Sequence, residues 1–147
     1  MKSILFIVIL FSLQQKNIWE LIDEKAKELK TGRAELSKLE DIDSSFNDFY
    51  QRFITDSTFQ YSRISESVLA AVFHCESTDV FTQEDWDLIT YNFKEDFDNA
   101  RYKHILVSDK DVFYLQTWLI EVGVISQIGF ERIDGQWYIT LFMVNVC

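Results

Sequence analysis

The chain has 147 residues, is 48% hydrophobic and 16% aromatic, and carries a formal net charge of -10. Such a chain can bury one sizeable core without staples, and disorder needs the opposite composition. The acidity disfavours sequence-independent nucleic-acid binding and adhesion to anionic membranes, both of which draw on Lys and Arg.

Met1-Lys2-Ser3 precedes an almost unbroken apolar run over residues 4–13. A short positive start and an apolar stretch of this size match a secretory signal peptide. A spanning helix would need about 20 residues, so no transmembrane segment is expected once the signal is removed. The expectation is therefore a signal peptide over residues 1–15 and an exported protein, periplasmic or extracellular. Ser12-Leu13-Gln14-Gln15 lacks the small-x-small cleavage pattern, and no Cys follows that could carry a lipid. The alternative is that the run forms a buried N-terminal element of the fold.

Residues 16–43 are charged and helical in pattern. Ile18, Ile22, Leu29, Leu36 and Leu39 recur at helical spacings, with Gly32 interrupting the stripe. The expectation is a solvent-exposed leader helix. A coiled-coil spacer, a partner-binding helix and a helix packed on the domain edge are the alternatives. The domain proper is expected over residues 44–147. Ser45 and Asp48 form a capping-box pattern, followed by Phe46, Phe49, Tyr50 and Phe53 on one helical face.

Residues 58–64 alternate and predict a strand, with Phe59, Tyr61 and Arg63 on one face. A second apolar strand is expected over residues 68–75. The Thr82-Gln83-Glu84-Asp85 cap pattern predicts a short helix through Trp86, Leu88, Ile89 and Tyr91. Residues 104–107 predict a short strand and residues 108–111 a turn. Residues 112–122 are apolar on both faces, as in the middle of a covered sheet. Asp134-Gly135 then sits between two aromatic and β-branched runs, the signature of a type I′ hairpin. A two-residue loop pairs Arg132 with Trp137, Phe130 with Ile139 and Ile128 with Leu141 on one face, and Glu131 with Tyr138 and Gly129 with Thr140 on the other. Helices first and an antiparallel sheet afterwards predict an α+β fold, with helices gathered on one face of a curved sheet.

No catalytic, metal or phosphate motif stands out. His74-Cys75-Glu76 offers three ligand types, but strand neighbours point to opposite faces, so no metal site is expected. Asp96-Phe97-Asp98-Asn99-Ala100 lacks the Gly and distal Glu of a calcium loop and is read as a solvated turn. No cofactor is expected. Cys75 and Cys147 are expected as two free thiols, since the second is terminal; a bridge would contribute about 4 kcal/mol.

Residues 46–53, Asp56, Phe59-Gln60-Tyr61-Ser62-Arg63-Ile64 and Asp134-Gly135-Gln136-Trp137-Tyr138 resemble an uncharacterised family of exported bacterial proteins, catalogued as domain of unknown function 4348. The resemblance covers roughly residues 44–146. It implies a nuclear transport factor 2-like, or cystatin-like, fold: a bent antiparallel sheet wrapping N-terminal helices around a conical cavity. It carries over no catalytic residues. The chain departs from the family in having Ser65-Glu66-Ser67 where a proline is usual, and in lacking the lipoprotein Cys. In such a cone Tyr61, Arg63, Tyr114 and Trp118 are the candidate ligand-binding residues, Arg63 being a cation among rings. The alternative role for Arg63 is an ion pair with Asp48 or Asp56. The expected function is non-catalytic binding of a small ligand or an envelope protein in or over the cavity, with a dimer through the sheet face as a candidate assembly. A cavity enzyme of steroid-isomerase type, with Glu121 or Glu131 as its base, is the alternative. A structural or assembly role through the leader helix is a third possibility; for the cavity itself, the other fate is that the aromatic residues fill it and leave a protein that works through its outer surface.

Overall fold

In the computed structural model, which describes residues 16–147, an α+β fold is built on one curved sheet. The expected signal peptide lies outside the described residues. Helix α1 spans Ile18–Lys30, α2 Ser44–Thr55 and α3 Ser57–Ser62. The strands are β1 Glu35–Leu36, β2 Ile64–Phe73, β3 Thr78–Phe81, β4 Tyr102–Ser108, β5 Val112–Leu119, β6 Val124–Ile133 and β7 Gln136–Asn145. Their order across the sheet is β1-β4-β5-β6-β7-β2-β3.

The expected hairpin forms the centre of this sheet. Asp134 and Gly135 both take positive φ, 51° and 78°, as a type I′ turn requires. Arg132 faces Trp137, Glu131 faces Tyr138 and Phe130 faces Ile139. Beyond that the expected register fails: Gly129 faces Leu141 and Ile128 faces Phe142. Thr140 is the extra residue of a bulge, which bends the strand and returns Phe142 to the face that Ile139 occupies.

The sheet is not wholly antiparallel. β2 returns beside β7 in parallel, from Ile64↔Ile139 to Phe73↔Asn145. Cys75 and Cys147 each lie two residues beyond that last pair, so the strands deliver them side by side with Cα atoms 5.0 Å apart. They form a disulfide, not the expected free thiols. An antiparallel arrangement of these strands would have separated them.

Both faces of the sheet are covered. On the concave face α2 lays down Phe46, Phe49, Tyr50 and Phe53 against Phe113, Phe130, Trp137 and Ile139. Asp43 is its N-cap, with the side chain accepting from Ser45 N at 3.0 Å, in place of the expected Ser45–Asp48 box. On the convex face α1 buries Ile22, Ala26 and Leu29 against Val107, Val112, Tyr114, Leu141 and Met143. Asn17 caps its start by accepting from Glu20 N, and Lys27 and Lys30 suit the negative end of its dipole. The expected exposed leader is therefore a packed layer on this face of the sheet. Leu36, at the tail of the same stripe, extends the sheet in β1. Arg33 fastens the segment to Asp109 at 2.7 Å. Burial works against the Asp109 charge, but the amides of Asp111 and Val112 and the Arg33 guanidinium outweigh it and hold its pKa below the usual value.

Gly129 lets α1 approach the sheet. A Cβ there would sit 2.5 Å from Leu29 Cδ1 and 3.1 Å from Leu141 Cβ. Gly129→Ala should therefore cost about 1–3 kcal/mol by overpacking. In a Leu29→Ala background the added cost should shrink, because the clashing methyl is gone. Denaturant midpoints of the four proteins check this; equal costs in both backgrounds would remove α1 from that seat.

Two further local expectations fail. Residues 58–64 are mostly helical, because Asp56 ends α2 and caps α3, its carboxylate accepting from Phe59 N at 3.0 Å. The Thr82–Asp85 pattern closes a turn, with Asp85 accepting from both the Thr82 amide and hydroxyl, and no helix follows.

Candidate functional site

The interior of the curve is filled. Phe46, Phe53, Phe113 and Phe130 are each 0% exposed, and Phe46 stacks on Phe113 at 3.9 Å between ring centroids. Tyr50 donates its hydroxyl to Tyr91 O, and burial pushes its pKa up. Among the described residues the buried polar side chains are Gln60 and Thr140, and no carboxylate is buried. Glu131 pairs with Lys25 of α1 at 2.7 Å and Glu121 with Arg101 at 3.1 Å.

The four expected site residues do not share a mouth. Tyr114 is 0% exposed in the convex-face core under α1, where burial raises its pKa. Tyr61 is on α3 and donates to Trp86 O at 3.2 Å. Arg63 lies over the rings of Phe59 and Tyr138 at 5.0 and 5.5 Å and donates to Gln136, beside the hairpin turn. Its partner is thus neither Asp48 nor Asp56; Asp56 meets Arg52 instead. Trp118 lies toward the opposite end of the sheet, roughly 20 Å along β5 from Val112 at about 3.4 Å per residue. Because residues 57–62 are helical and Arg63 is their C-cap, Tyr61 and Arg63 do not share the strand face that alternation predicts.

A pocket remains at the far margin of the concave core. Val72, Phe81, Phe142 and Trp86 enclose about 100 Å³, with the exposed Asp87 at the rim. Parallel pairing of β2 with β7 brings Val72 and Phe142 together, and β3 adds Phe81 opposite Ala70. Trp86 comes from the loop after β3, its ring 6.0 Å from that of Phe142.

Gln60 holds that loop in place. It is 1% exposed and uses both ends of its amide. Nε2 donates to Phe53 O and Ile89 O, each at 2.7 Å, and Oε1 accepts from Trp86 Nε1 at 3.1 Å and Ile89 N at 2.7 Å. Sequence reasoning missed both Gln60 and Trp86 as site-forming residues. A glutamine amid aromatic residues in the Phe59-Gln60 motif was the available signal.

Among the described residues no cluster of ligand-type side chains could hold a metal. His74 instead meets Asp79 at 3.0 Å. No described helix is long and apolar enough to cross a membrane.

No family model matches the chain, so membership of the family it resembles is not shown. No curated protein matches it either. Solved structures do. A protein from Bacteroides uniformis, solved by NMR, is 25% identical with a TM-score of 0.46, over 66% of this chain and 74% of that one. An NTF2-like protein from Bacteroides fragilis is 19% identical with a TM-score of 0.43, over 73% of this chain but only 49% of that one. A protein of unknown function with a cystatin-like fold, from Nostoc punctiforme, is 14% identical with a TM-score of 0.35, over 72% and 94%. The α+β class itself stands on the strand order and the two covered faces described above.

Proposed function

We propose that this chain is an exported, non-catalytic binding domain that takes the apolar end of a small cationic ligand into the Trp86 pocket. The observation that carries the reading is the pocket itself, an apolar space of about 100 Å³ with the exposed Asp87 among its lining residues, in a fold whose interior is otherwise packed with rings. Concave apolar sites with few polar groups are the usual ligand sites. The net charge of -10 favours approach of a cation and opposes that of an anion. Export is supported by the disulfide, since such bonds persist in oxidising compartments. The catalytic alternative would need a desolvated carboxylate as base. Glu121 and Glu131, its two candidates, are each occupied in an ion pair.

Benzylamine and benzoate serve as probes in a thermal-shift titration. At 100 times its dissociation constant a ligand stabilises by about 2.7 kcal/mol, enough to move the midpoint by several degrees. Benzylamine should raise the midpoint of the wild type, benzoate should not, and Val72→Phe, which fills the pocket, should abolish the response. A benzylamine shift that survives in Val72→Phe, or no shift at all, would reject this site.

A further inference from the structure

Strand β3 ends the sheet. It has β2 on one side and, among the described residues, no strand on the other. Thr78, Asp79 and Val80 are exposed and Phe81 is half-buried. His74 N donates to Ser77 O at 2.8 Å where the chain turns from β2 into β3. Bonded pairs alternate along an antiparallel ladder, so the next ones are Val72 with Asp79 and Ala70 with Phe81. The pairs between them, Phe73 with Thr78 and Ala71 with Val80, turn their amides and carbonyls away from each other. Phe73 O accordingly accepts from Val146 N, on the β7 side. The N–H and C=O groups of Thr78 and Val80 therefore point off the edge, where a further strand would meet them.

This edge adjoins the Trp86 pocket. Phe81 lines the pocket and pairs with Ala70 of the concave core. Asp79 lies two residues earlier, on the same face of the strand. Strands in a sheet are about 4.8 Å apart, so a side chain beside Phe81 on an added strand lies one strand spacing from the pocket wall. At about 100 Å³ the pocket is smaller than the roughly 300–1,000 Å³ of sites that enclose a whole small ligand, and it suits one side chain of something larger.

Charge supplies the rest of the partner's chemistry. Residues 75–93 hold Glu76, Asp79, Glu84, Asp85 and Asp87, and no Lys or Arg. Asp79 meets His74, and Asp85 closes its own turn with Thr82. Glu76, Glu84 and Asp87 are exposed and enter no ion pair among the described residues. A second copy of the chain would bring the same carboxylates to this edge, and like charges across a strand pair are destabilising. A basic segment meets no such opposition.

We propose that β3 receives an extended basic peptide as an added strand, with one apolar side chain in the Trp86 pocket and a Lys or Arg two residues away beside Asp79. The inference rests on the reading of that pocket as a binding site and names its partner. Main-chain bonds to Thr78 and Val80 give affinity, and the pocket and carboxylates select the sequence.

The probe is the peptide Thr-Lys-Thr-Phe-Thr-Lys-Thr, acetylated and amidated, whose Phe and two Lys share one face when extended. Titrated into the protein by calorimetry it should bind, and the amides of Thr78 and Val80 should slow in hydrogen exchange. Replacing its Phe by Ala should weaken binding about tenfold or more. Replacing both Lys by Glu should abolish it. Val80→Pro removes an outward N–H and no ladder bond, so the edge keeps its pairing with β2. That variant should bind the peptide about tenfold more weakly or worse and still respond to benzylamine. A benzylamine response in the wild type without peptide binding would overturn this inference and leave the pocket standing; no response to either would remove both. Equal peptide affinity in wild type and Val80→Pro, or equal affinity for the Phe and Ala peptides, would also overturn it. So would Thr78 and Val80 amides that slow with protein concentration in the absence of peptide, which would assign the edge to a second copy.

Discussion

Cys147→Ala should lower the unfolding free energy by about 4 kcal/mol in oxidising buffer and by almost nothing in reducing buffer. The Cys75–Cys147 bond closes a loop of sequence separation 72. The chain-entropy relation puts the restriction this imposes on the unfolded chain at about 4 kcal/mol. In the native state the bond only joins what the sheet already holds close, because Phe73 pairs with Asn145 and Val146 N donates to Phe73 O at 3.0 Å. The native fold should therefore survive reduction, with fraying confined to the last residues of β7. Guanidinium denaturation of wild type and variant, each with and without reductant, measures the four stabilities. A wild-type midpoint that ignores reductant, or two titratable thiols in the oxidised protein, would show that the bridge does not form.

That bridge also shows where the sequence stopped being legible. Local signals carry through to the structure. Asp134-Gly135 fixed the turn, and the ring spacing of residues 46–53 fixed a buried helical face, because each is decided by neighbours within a few positions. The parallel return of β2 beside β7 is a pairing across more than seventy residues, and no local pattern encodes it. With it went the disulfide, the pocket between Val72 and Phe142, and the mixed character of the sheet. The bulge at Thr140 is similar: alternation alone extends the register past Gly129, and only the packing of Phe142 into the concave core shows that it shifts. Residues 58–64 failed for a different reason. Seven residues are too few for period 2 and period 3.6 to be told apart, and the deciding signal is a single residue, Asp56, that ends one helix and caps the next. The leader helix carried its buried stripe openly, but a stripe does not say what covers it, and the covering surface is assembled from β2, β4, β5 and β7.

Gln60→Ala should cost about 3–5 kcal/mol, well above the usual loss for a polar substitution, because the side chain satisfies four buried groups at once. Without it the Trp86 ring N–H, the Ile89 amide and the carbonyls of Phe53 and Ile89 lose their partners inside a core lined by rings. Each orphaned group costs about 1–3 kcal/mol, and the sum falls short of additive only as far as the loop relaxes. That relaxation has a functional reading, since the loop carries Trp86, a wall of the candidate pocket. Gln60→Glu separates this lock from mere loss of volume. A carboxylate keeps the shape but turns an acceptor toward the two carbonyls that Nε2 now serves. Burial and those oxygens raise its folded pKa above the unfolded carboxylate value, so the protonated form is the one the fold tolerates. The penalty is therefore fully present above that folded pKa and shrinks as pH falls toward the unfolded value of about 4.3. Relative to wild type at each pH, Gln60→Glu should regain stability on acidification, whereas Gln60→Ala should show a constant deficit. Urea midpoints at pH 5 and pH 8 measure the difference. A Gln60→Glu deficit that does not change with pH would mean that the amide does not face those carbonyls, and Gln60 would lose its place as the fastening of the loop.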